Sequence, residues 1–267
     1  MKLLNIGCGH NYHPDWINLD LYRSQFVKYH NIKNKLPFSS DSVDVVYHSH
    51  VLEHINKFEA EKFIADCFRV LKPGGIIRVV IPDLEQICLE YLSNLAKGFN
   101  SNDQSAILNY KWNKIELFDQ IVRQKSGGEM LETIKGGKFN KDYILFRNGE
   151  EFKPLLNLNF PDGQSPNFSL KDKIINFLRR DDRFSRLKRF IVGFVKKANP
   201  QKSGEAHRWM YDKLDLKILL ASVGFRDFKI MNYNESGILD WNKYALDKAQ
   251  DGDYPRKPDS LFVEALK

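Results

Sequence analysis

Two short motifs near the start of the chain carry groups suited to binding a nucleoside. Gly7-Cys8-Gly9 follows the apolar run of residues 2–6, and glycines without a Cβ let backbone N–H groups approach a ligand closely. Asp20 ends a second apolar run, where its carboxylate is placed to accept both hydroxyls of a ribose. The third glycine and the separation of roughly 20 residues found in dinucleotide motifs are missing, which disfavours a nicotinamide enzyme.

Histidines are concentrated in the same region, since six of the seven lie within the first 54 residues. Imidazole has an ordinary pKa close to neutral pH, so these residues are candidates for proton transfer. The spacing His48-x-His50-x3-His54 also invites a metal interpretation. His48 and His50 are at alternate positions of a strand, however, and not on one face of a helix as in known metal-binding motifs. No carboxylate completes a recognisable ligand motif either, so we expect no metal. The seventh histidine, His207, lies far along the chain.

These residues must be positioned by an α/β fold, because short apolar runs alternate with loops in a pattern typical of a parallel sheet buried on both faces. The carboxyl ends of such strands meet at one edge of the sheet, where ligands bind. In the first third of the chain we predict five strands and one helix: strands 2–6, 16–20, 26–32, 43–48 and 76–81, and helix 59–71.

The regular alternation is interrupted after the fifth strand and resumes near His207. We therefore predict a core formed by residues 1–85 and 205–267, with a mostly helical insertion at 86–204. Within the insertion, residues 143–152 suggest a small hairpin with a turn at Asn148-Gly149. The C-terminal part predicts a helix and two final strands, at 212–223, 225–232 and 261–266.

The net charge of +7 has a local origin. Residues 171–197 hold ten basic and three acidic residues, which leaves the remainder balanced at 31 of each. Aromatic and aliphatic residues recur there at helical spacing, which predicts an amphipathic basic helix. Three interpretations stay open: a solvated surface, contact with an anionic membrane, and a clamp on an acidic acceptor. No nucleic-acid-binding module accompanies the charge, so we do not expect a nucleic acid partner.

Composition excludes several classes of protein. An apolar content of 42% is typical of a globular chain rather than a disordered one. No apolar run approaches the roughly 18 residues of a membrane helix, and the N-terminus turns polar too early for a signal peptide, so we expect a cytoplasmic protein. Three cysteines without paired spacing argue against a disulfide framework, a zinc knuckle or a redox pair.

Three further motifs fall at predicted strand ends in a consistent order, and a fourth and a fifth lie near the C-terminus. The motifs are LPFSSDSVDVV at 36–46, SHVLEHI at 49–55, RVLKPGG at 69–75, HRWMYD at 207–212 and PRKPDSLFVEA at 255–265. Together they resemble class I S-adenosylmethionine (SAM) dependent methyltransferases with a type 11 core. The resemblance implies a Rossmann-like, mostly parallel sheet with an antiparallel last strand, SAM as cofactor and S-adenosylhomocysteine as product.

Residue by residue, the resemblance implies a cofactor site around Gly7, Cys8, Gly9 and Asp20. Gly7-Cys8-Gly9 would face the methionine part of SAM and Asp20 its ribose. The remaining implied cofactor residues are Asn5, Asn31, Ile32 and Ser49. Asn5 replaces a residue that is usually acidic in the family, and Asn11 one that is usually glycine, which weakens the expected contacts to the SAM amino group.

Similar bacterial proteins are associated with surface polysaccharide or sugar modification, so we expect transfer to a sugar, a phosphorylated or nucleotide-linked sugar, or a glycan precursor. A hydroxyl acceptor needs a base near its proton. The candidates, in order, are His207, His50 and Asp83. The alternatives are an RNA or protein methyltransferase and a membrane-associated binding protein without catalysis.

Overall fold

The computed structural model of the protein describes residues 1–157, 200 and 204–267. Two compact units divide the chain: residues 1–86 with 207–267, and residues 87–206. The predicted boundaries, at 85/86 and 204/205, differ from these by one or two residues. The predicted basic helix within 171–197 lies outside the described residues.

In the described part of the first unit, seven strands form one sheet in the order β3-β2-β1-β4-β5-β7-β6. All neighbours run parallel except those of β7, which is antiparallel to β5 and β6. This confirms the predicted mostly parallel sheet with an antiparallel last strand. The strands are β1 (Leu3–Ile6), β2 (Ile17–Asp20), β3 (Val27–Tyr29), β4 (Val43–Ser49), β5 (Leu71–Pro82), β6 (Arg226–Met231) and β7 (Ser260–Leu266).

Helix α1 (Lys57–Val70) covers one face of the sheet because its apolar residues recur at helical spacing. Its buried stripe contains Phe63, Ile64 and Cys67. The Asn56 side chain caps its first turn by accepting the Phe58 N–H at 3.0 Å. A single-turn 3-10 helix (Leu52–His54) joins β4 to this helix. Helix α7 (Lys213–Val223) lies beside α1, is capped by Asp212 and ends at Gly224.

Two apolar clusters fill the two faces of the sheet. The larger joins strand residues such as Leu4, Val46 and Ile77 to α1 and α7. The smaller is aromatic and places Trp16 and Tyr47 against Trp241 and Tyr244 of the short helix α8 (Trp241–Tyr244). Strands β1, β4 and β5 are therefore buried on both sides, as predicted from their continuous apolar runs.

The second unit is helical in its described part. Its helices are α2 (Leu84–Ser101), which begins in the first unit, α3 (Gln104–Val122), α4 (Gly128–Lys135), α5 (Lys141–Asn148) and α6 (Lys153–Leu156), with a 3-10 turn at Gly149–Phe152. The apolar core of this unit includes Trp112, Ile134 and Ile144.

The predicted hairpin at 143–152 is wrong, because residues 141–148 form helix α5. Asn140 caps this helix by accepting the Tyr143 N–H at 3.2 Å, and Gly149 ends it with φ of 67°. An Asn-Gly pair supplies the positive φ needed both for a tight β-turn and for a helix terminus, so the local sequence is compatible with either structure.

Candidate functional site

The loop between β1 and β2 is shaped by its two glycines. Gly7 and Gly9 adopt φ of 64° and 54°, in the left-handed region that glycine tolerates best. The N–H groups of Gly7 and Cys8 donate to the Leu19 carbonyl at 2.8 and 3.2 Å, which folds the loop over the end of β2. A Cβ on Gly9 would meet no atom within 4 Å, so the loop surface at this residue is open.

Asp20 ties this loop to the end of β2. Its Oδ2 accepts the Gly9 N–H at 2.7 Å and its Oδ1 accepts the Leu21 N–H at 2.6 Å. Each carboxylate oxygen can accept more than one hydrogen bond, so hydroxyl donors can still bind. Cys8 is buried beside this carboxylate, and burial followed by the charge of Asp20 raises the pKa of its thiol to about 12.

Asn5 lies beneath the loop, fully buried in β1. Its Nδ2 donates to the Asn11 carbonyl at 3.3 Å and to Asn18 Oδ1 at 3.2 Å. These contacts link β1 to the far side of the loop and to β2. Asn5 therefore supports the glycine loop from inside the protein.

Two further residues that the resemblance implies for the cofactor site follow the short strand β3. Asn31 is half-buried and accepts the Lys33 N–H through Oδ1 at 3.0 Å, and Ile32 packs against the larger apolar cluster. The His30 N–H donates to the Asp20 carbonyl at 2.7 Å, which brings this turn next to the end of β2. The predicted third strand at 26–32 is shorter in the structure because residues 30–32 leave the sheet.

The end of β4 carries Ser49 and His50. His50 has φ of 53°, which is unfavourable for a residue with a Cβ and is found at functional sites. Its Nδ1 lies 3.1 Å from Glu53 Oε1, and its Nε2 lies 2.9 Å from Ser260 Oγ. Ser49 Oγ accepts a hydrogen bond from Arg256 at 3.4 Å.

Burial controls the protonation of this histidine and its acidic neighbour. The Glu53 side chain is fully buried, and desolvation raises its pKa to about 8. Burial, followed by the charges of Lys257 and Arg256, holds the pKa of His50 well below 6.5. The ionised form of each group is therefore disfavoured near neutral pH.

The other predicted bases lie at the same sheet edge. The His207 ring, 5% exposed, packs edge-on against the His54 ring with centroids 4.9 Å apart. Asp83 directly follows β5, pairs with Tyr211 as an isolated bridge, and accepts the Gln86 N–H at 3.3 Å. That last contact gives Asp83 a capping role at the start of α2.

Comparison with known proteins finds a family match within the first unit. Residues 23–79 match the family model described as a methyltransferase domain. This segment resembles a class I SAM-dependent methyltransferase. A relative from Mycolicibacterium smegmatis, described as a probable S-adenosylmethionine-dependent methyltransferase, is 32% identical over an alignment of 100 residues that covers 30% of this chain and 38% of the relative. The chain thus spans well under half the length of that curated relative.

Two solved structures that match the chain have low sequence identity and low TM-scores. A SAM-dependent methyltransferase from Thermotoga maritima is 11% identical with a TM-score of 0.39, covering 100% of this chain and 82% of that one. One from Archaeoglobus fulgidus is 13% identical with a TM-score of 0.40, covering 100% of this chain and 86% of that one.

The predicted cofactor residues lie along one edge of the sheet. The open surface at Gly9 leaves room for a ligand against the backbone, and Asp20 lies beside it at the end of β2. Asn31 and Ile32 follow β3, and Ser49 ends β4. The open backbone at Gly9 and the neighbouring carboxylate are compatible with the SAM ligand that the resemblance implies.

The fold separates the three histidines whose spacing invited a metal interpretation. His48 is buried inside β4 against the Phe63 ring. His50 instead contacts Glu53 and Ser260, and His54 lies beside His207. Among the described residues, one side-chain nitrogen or oxygen each of Glu53, His54 and His207 lies within 4.8 Å of the others, a grouping that the sequence spacing did not predict.

Sequence reasoning missed Glu53, Ser260 and Arg256. Glu53 could have been suggested by its position, because it lies only three residues after His50. Ser260 and Arg256 had no comparable local signal, because they are more than 200 positions from the side chains that they contact, with separations of 210 and 207.

Proposed function

We propose that the protein transfers a methyl group from SAM to a hydroxyl of a sugar, a phosphorylated or nucleotide-linked sugar, or another glycan-type acceptor. The observation that carries the proposal is the contact of Gly9 N–H with Asp20 Oδ2 at 2.7 Å. This contact places an open glycine loop and a strand-end carboxylate at the edge where the sheet also ends in Ser49 and His50.

The protein's part in this reaction is mainly to align the reactants. When bound, SAM supplies an electrophilic methyl group on a sulfonium. Displacement at such a carbon disperses charge, so proximity and orientation account for most of the acceleration. The chain contributes backbone N–H groups and the Asp20 carboxylate on the cofactor side. On the acceptor side, it must supply a group that takes the hydroxyl proton.

His50 is the candidate base that this geometry favours over His207 and Asp83. It lies at the end of β4, and its Nε2 is already hydrogen-bonded to a hydroxyl oxygen at 2.9 Å. The Asp83 carboxylate is used in part to cap α2. The His207 ring is packed against the His54 ring, so His207 is better suited to holding the site in place than to taking a proton.

Positive charge supports an acidic acceptor. Arg256 and Lys257 lie close enough to His50 to lower its pKa, and Arg256 donates to Ser49. A phosphorylated sugar or a lipid-linked glycan phosphate would pair with such cations. The excess of basic residues at 171–197 supports the same class of acceptor, or contact with an anionic membrane surface.

A screen for S-adenosylhomocysteine release tests this function. Nucleotide sugars, sugar phosphates and glycan intermediates are incubated with SAM and the full chain. We expect release that depends on the acceptor and is at least about tenfold slower with Asp20→Ala. Asp15→Ala, in an exposed acid of the same loop region, is the matched control. Equal rates for wild type and Asp20→Ala would contradict the proposed cofactor site.

A further inference from the structure

Three side chains, two of them three positions apart and the third 210 positions away, lie in a row at the carboxyl edge of the sheet. Glu53 Oε1 lies 3.1 Å from His50 Nδ1, and His50 Nε2 lies 2.9 Å from Ser260 Oγ. The two imidazole nitrogens therefore face an acid on one side and a hydroxyl on the other. In this arrangement a proton taken up at the hydroxyl can be passed inward to the imidazole.

Each member is held by the backbone of a different element. The His50 N–H donates to the Val80 carbonyl of β5 at 2.8 Å, which fixes the left-handed residue beyond β4. The Glu53 carbonyl accepts the Arg208 N–H at 2.6 Å. Ser260 begins β7 opposite Pro82, the last residue of β5. Backbone hydrogen bonds and strand pairing therefore position His50, Glu53 and Ser260 relative to one another.

We propose that Ser260, His50 and Glu53 form a proton relay for the acceptor hydroxyl, with Ser260 as the catalytic residue that meets the acceptor. The proposal rests on the proposed methyltransferase function. His50 and Glu53 act through Ser260 and are positioning residues.

The proton transfer conserves atoms and electrons. The acceptor O–H bond breaks and its proton moves to Ser260 Oγ, while the original Ser260 proton moves to His50 Nε2. The acceptor oxygen keeps the electron pair and becomes the nucleophile. The imidazole then carries two protons, and its Nδ1–H is stabilised by the Glu53 carboxylate.

At neutral pH the Glu53 carboxyl and the His50 ring together hold two protons, whereas the relay requires that they hold one. Burial raises the pKa of Glu53 to about 8 and keeps the pKa of His50 well below 6.5. Glu53 Oε1 lies 3.1 Å from Nδ1 without forming a hydrogen bond among the described residues. At lower pH the protonated, uncharged Glu53 does not favour a proton on Nδ1, so Nε2 carries the ring proton and cannot accept another. Above about pH 8 the proton on Glu53 is lost, Nδ1 carries the ring proton, and Nε2 is free to accept.

Charged neighbours on every packed element modulate this step. Around His50 these are Lys257, Arg256, His207 and His54, which all disfavour its protonation. Around Glu53, Lys257 favours the carboxylate and Asp259 opposes it. Glu53 in turn acts on Tyr211, whose pKa is raised to about 12 by burial, then by Asp215 and Glu53.

The test uses imidazole nitrogen NMR of the full chain across pH, which needs no acceptor. We expect the His50 Nε2 signal to change from the protonated to the unprotonated type as pH rises through about 8. Glu53→Gln should abolish this step. Ser260→Ala should keep the step and shift the Nε2 signal, while Glu85→Gln, an exposed acid paired with Lys213, should change nothing.

An Nε2 signal that does not change between about pH 6 and pH 10, or an unaltered step in Glu53→Gln, would overturn the relay. A divalent ion retained stoichiometrically by the purified chain and lost with Glu53→Gln would overturn it too. If Glu53→Gln does not fold, Ser260→Ala decides, because an unshifted Nε2 signal excludes the Ser260 contact in solution.

Activity gives a second readout once an acceptor is found. Ser260→Ala should lower kcat about 100-fold with an unchanged KM for SAM, and the wild-type kcat should rise through about pH 8. Equal kcat values would contradict the relay. Measuring the SAM affinity of each variant separates the two proposals. If the relay fails but SAM still binds, the methyltransferase proposal stands. If SAM does not bind, the methyltransferase proposal is wrong whatever the NMR result.

Discussion

Gly7 and Gly9 both have positive φ, yet their surroundings differ at the level of single atoms. A Cβ on Gly7 would lie 2.4 Å from Val51 Cγ2, whereas a Cβ on Gly9 would meet nothing within 4 Å. Both positions carry the cost of a left-handed L-residue, about 1–2 kcal/mol. Only Gly7 adds a steric clash with the stiff side chain of a valine.

Gly7→Ala should therefore lower the free energy of unfolding by at least about 2 kcal/mol and weaken SAM binding. Gly9→Ala should cost about 1 kcal/mol. Urea denaturation and SAM titration of both variants measure these effects. In the double variant Gly7→Ala with Val51→Ala, the clash part of the Gly7 effect should be relieved. Equal losses for Gly7→Ala and Gly9→Ala would contradict the packing described around Gly7.

His48 makes stability depend on pH through its burial. Neither ring nitrogen has a hydrogen-bond partner among the described residues, and desolvation lowers its pKa from 6.5 to about 3. The folded state thus holds a neutral imidazole that the unfolded chain would protonate. The resulting stability is present above about pH 6.5 and is lost as pH falls toward 3.

His48→Leu should remove this acid sensitivity. Between about pH 6 and pH 4, the slope of the unfolding free energy with pH should decrease by up to about 1.4 kcal/mol per pH unit. Urea denaturation over this range measures the slope, with His13→Leu, in a loop histidine that is 23% exposed, as control. An unchanged slope in His48→Leu would show that the histidine is not buried in its neutral form.

At the scale of elements, Arg78 joins β5 to three other segments. Its Nε lies 2.8 Å from Asp247 Oδ2, and its Nη1 lies 2.8 Å from Glu264 Oε1 on β7. Its Nη2 donates to the Asn232 carbonyl beyond β6 at 2.9 Å, and its guanidinium stacks on Trp241. The guanidinium is fully buried, so its loss would leave two buried carboxylates without their cation.

Arg78→Met should lower the free energy of unfolding by about 3–5 kcal/mol. Lys72→Met, which removes the 46% exposed partner of Asp44, should cost less than about 1 kcal/mol. Denaturant titration at neutral pH compares the two. Similar small losses for both variants would contradict a structural role for the Arg78 cluster.

Some secondary-structure elements can be predicted from the local sequence and others cannot. The strands β1, β2, β4 and β5 could be predicted because their apolar runs are continuous and end in turn residues. Helix α5 could not, since its short aromatic and aliphatic run fits a strand, and Asn148-Gly149 suits either a turn or a helix end. The Arg78 cluster was also unpredictable, because Asp247 is 169 positions away along the chain.

At the scale of the whole molecule, strand order explains which parts of the site the sequence reveals. Gly7 and Gly9 follow β1 and Asp20 ends the adjacent strand β2, so a local motif contains most of the proposed cofactor side. Ser260 meets His50 only because β7 inserts antiparallel between β5 and β6. The acceptor side is therefore assembled from distant segments, and no short pattern predicts it.

The net positive charge and any contact with a membrane are also properties of the whole molecule. In the part of the chain that the structure describes, no helix is both long enough and apolar enough to cross a bilayer. The basic excess at 171–197 lies outside that part, so its proposed contact with an acidic acceptor or an anionic surface stays a prediction. Flotation with vesicles containing anionic lipid, repeated after Arg-to-Gln changes in this segment, distinguishes the two.

Calorimetric titration of the full chain with SAM and S-adenosylhomocysteine tests the central claim most directly. We predict saturable binding of both ligands with one site per chain. Asp20→Ala should weaken that binding by at least about tenfold, equivalent to about 1.4 kcal/mol, and Asp15→Ala should leave it unchanged. The absence of binding to the folded wild-type chain, or an equal affinity for Asp20→Ala, would contradict the claim.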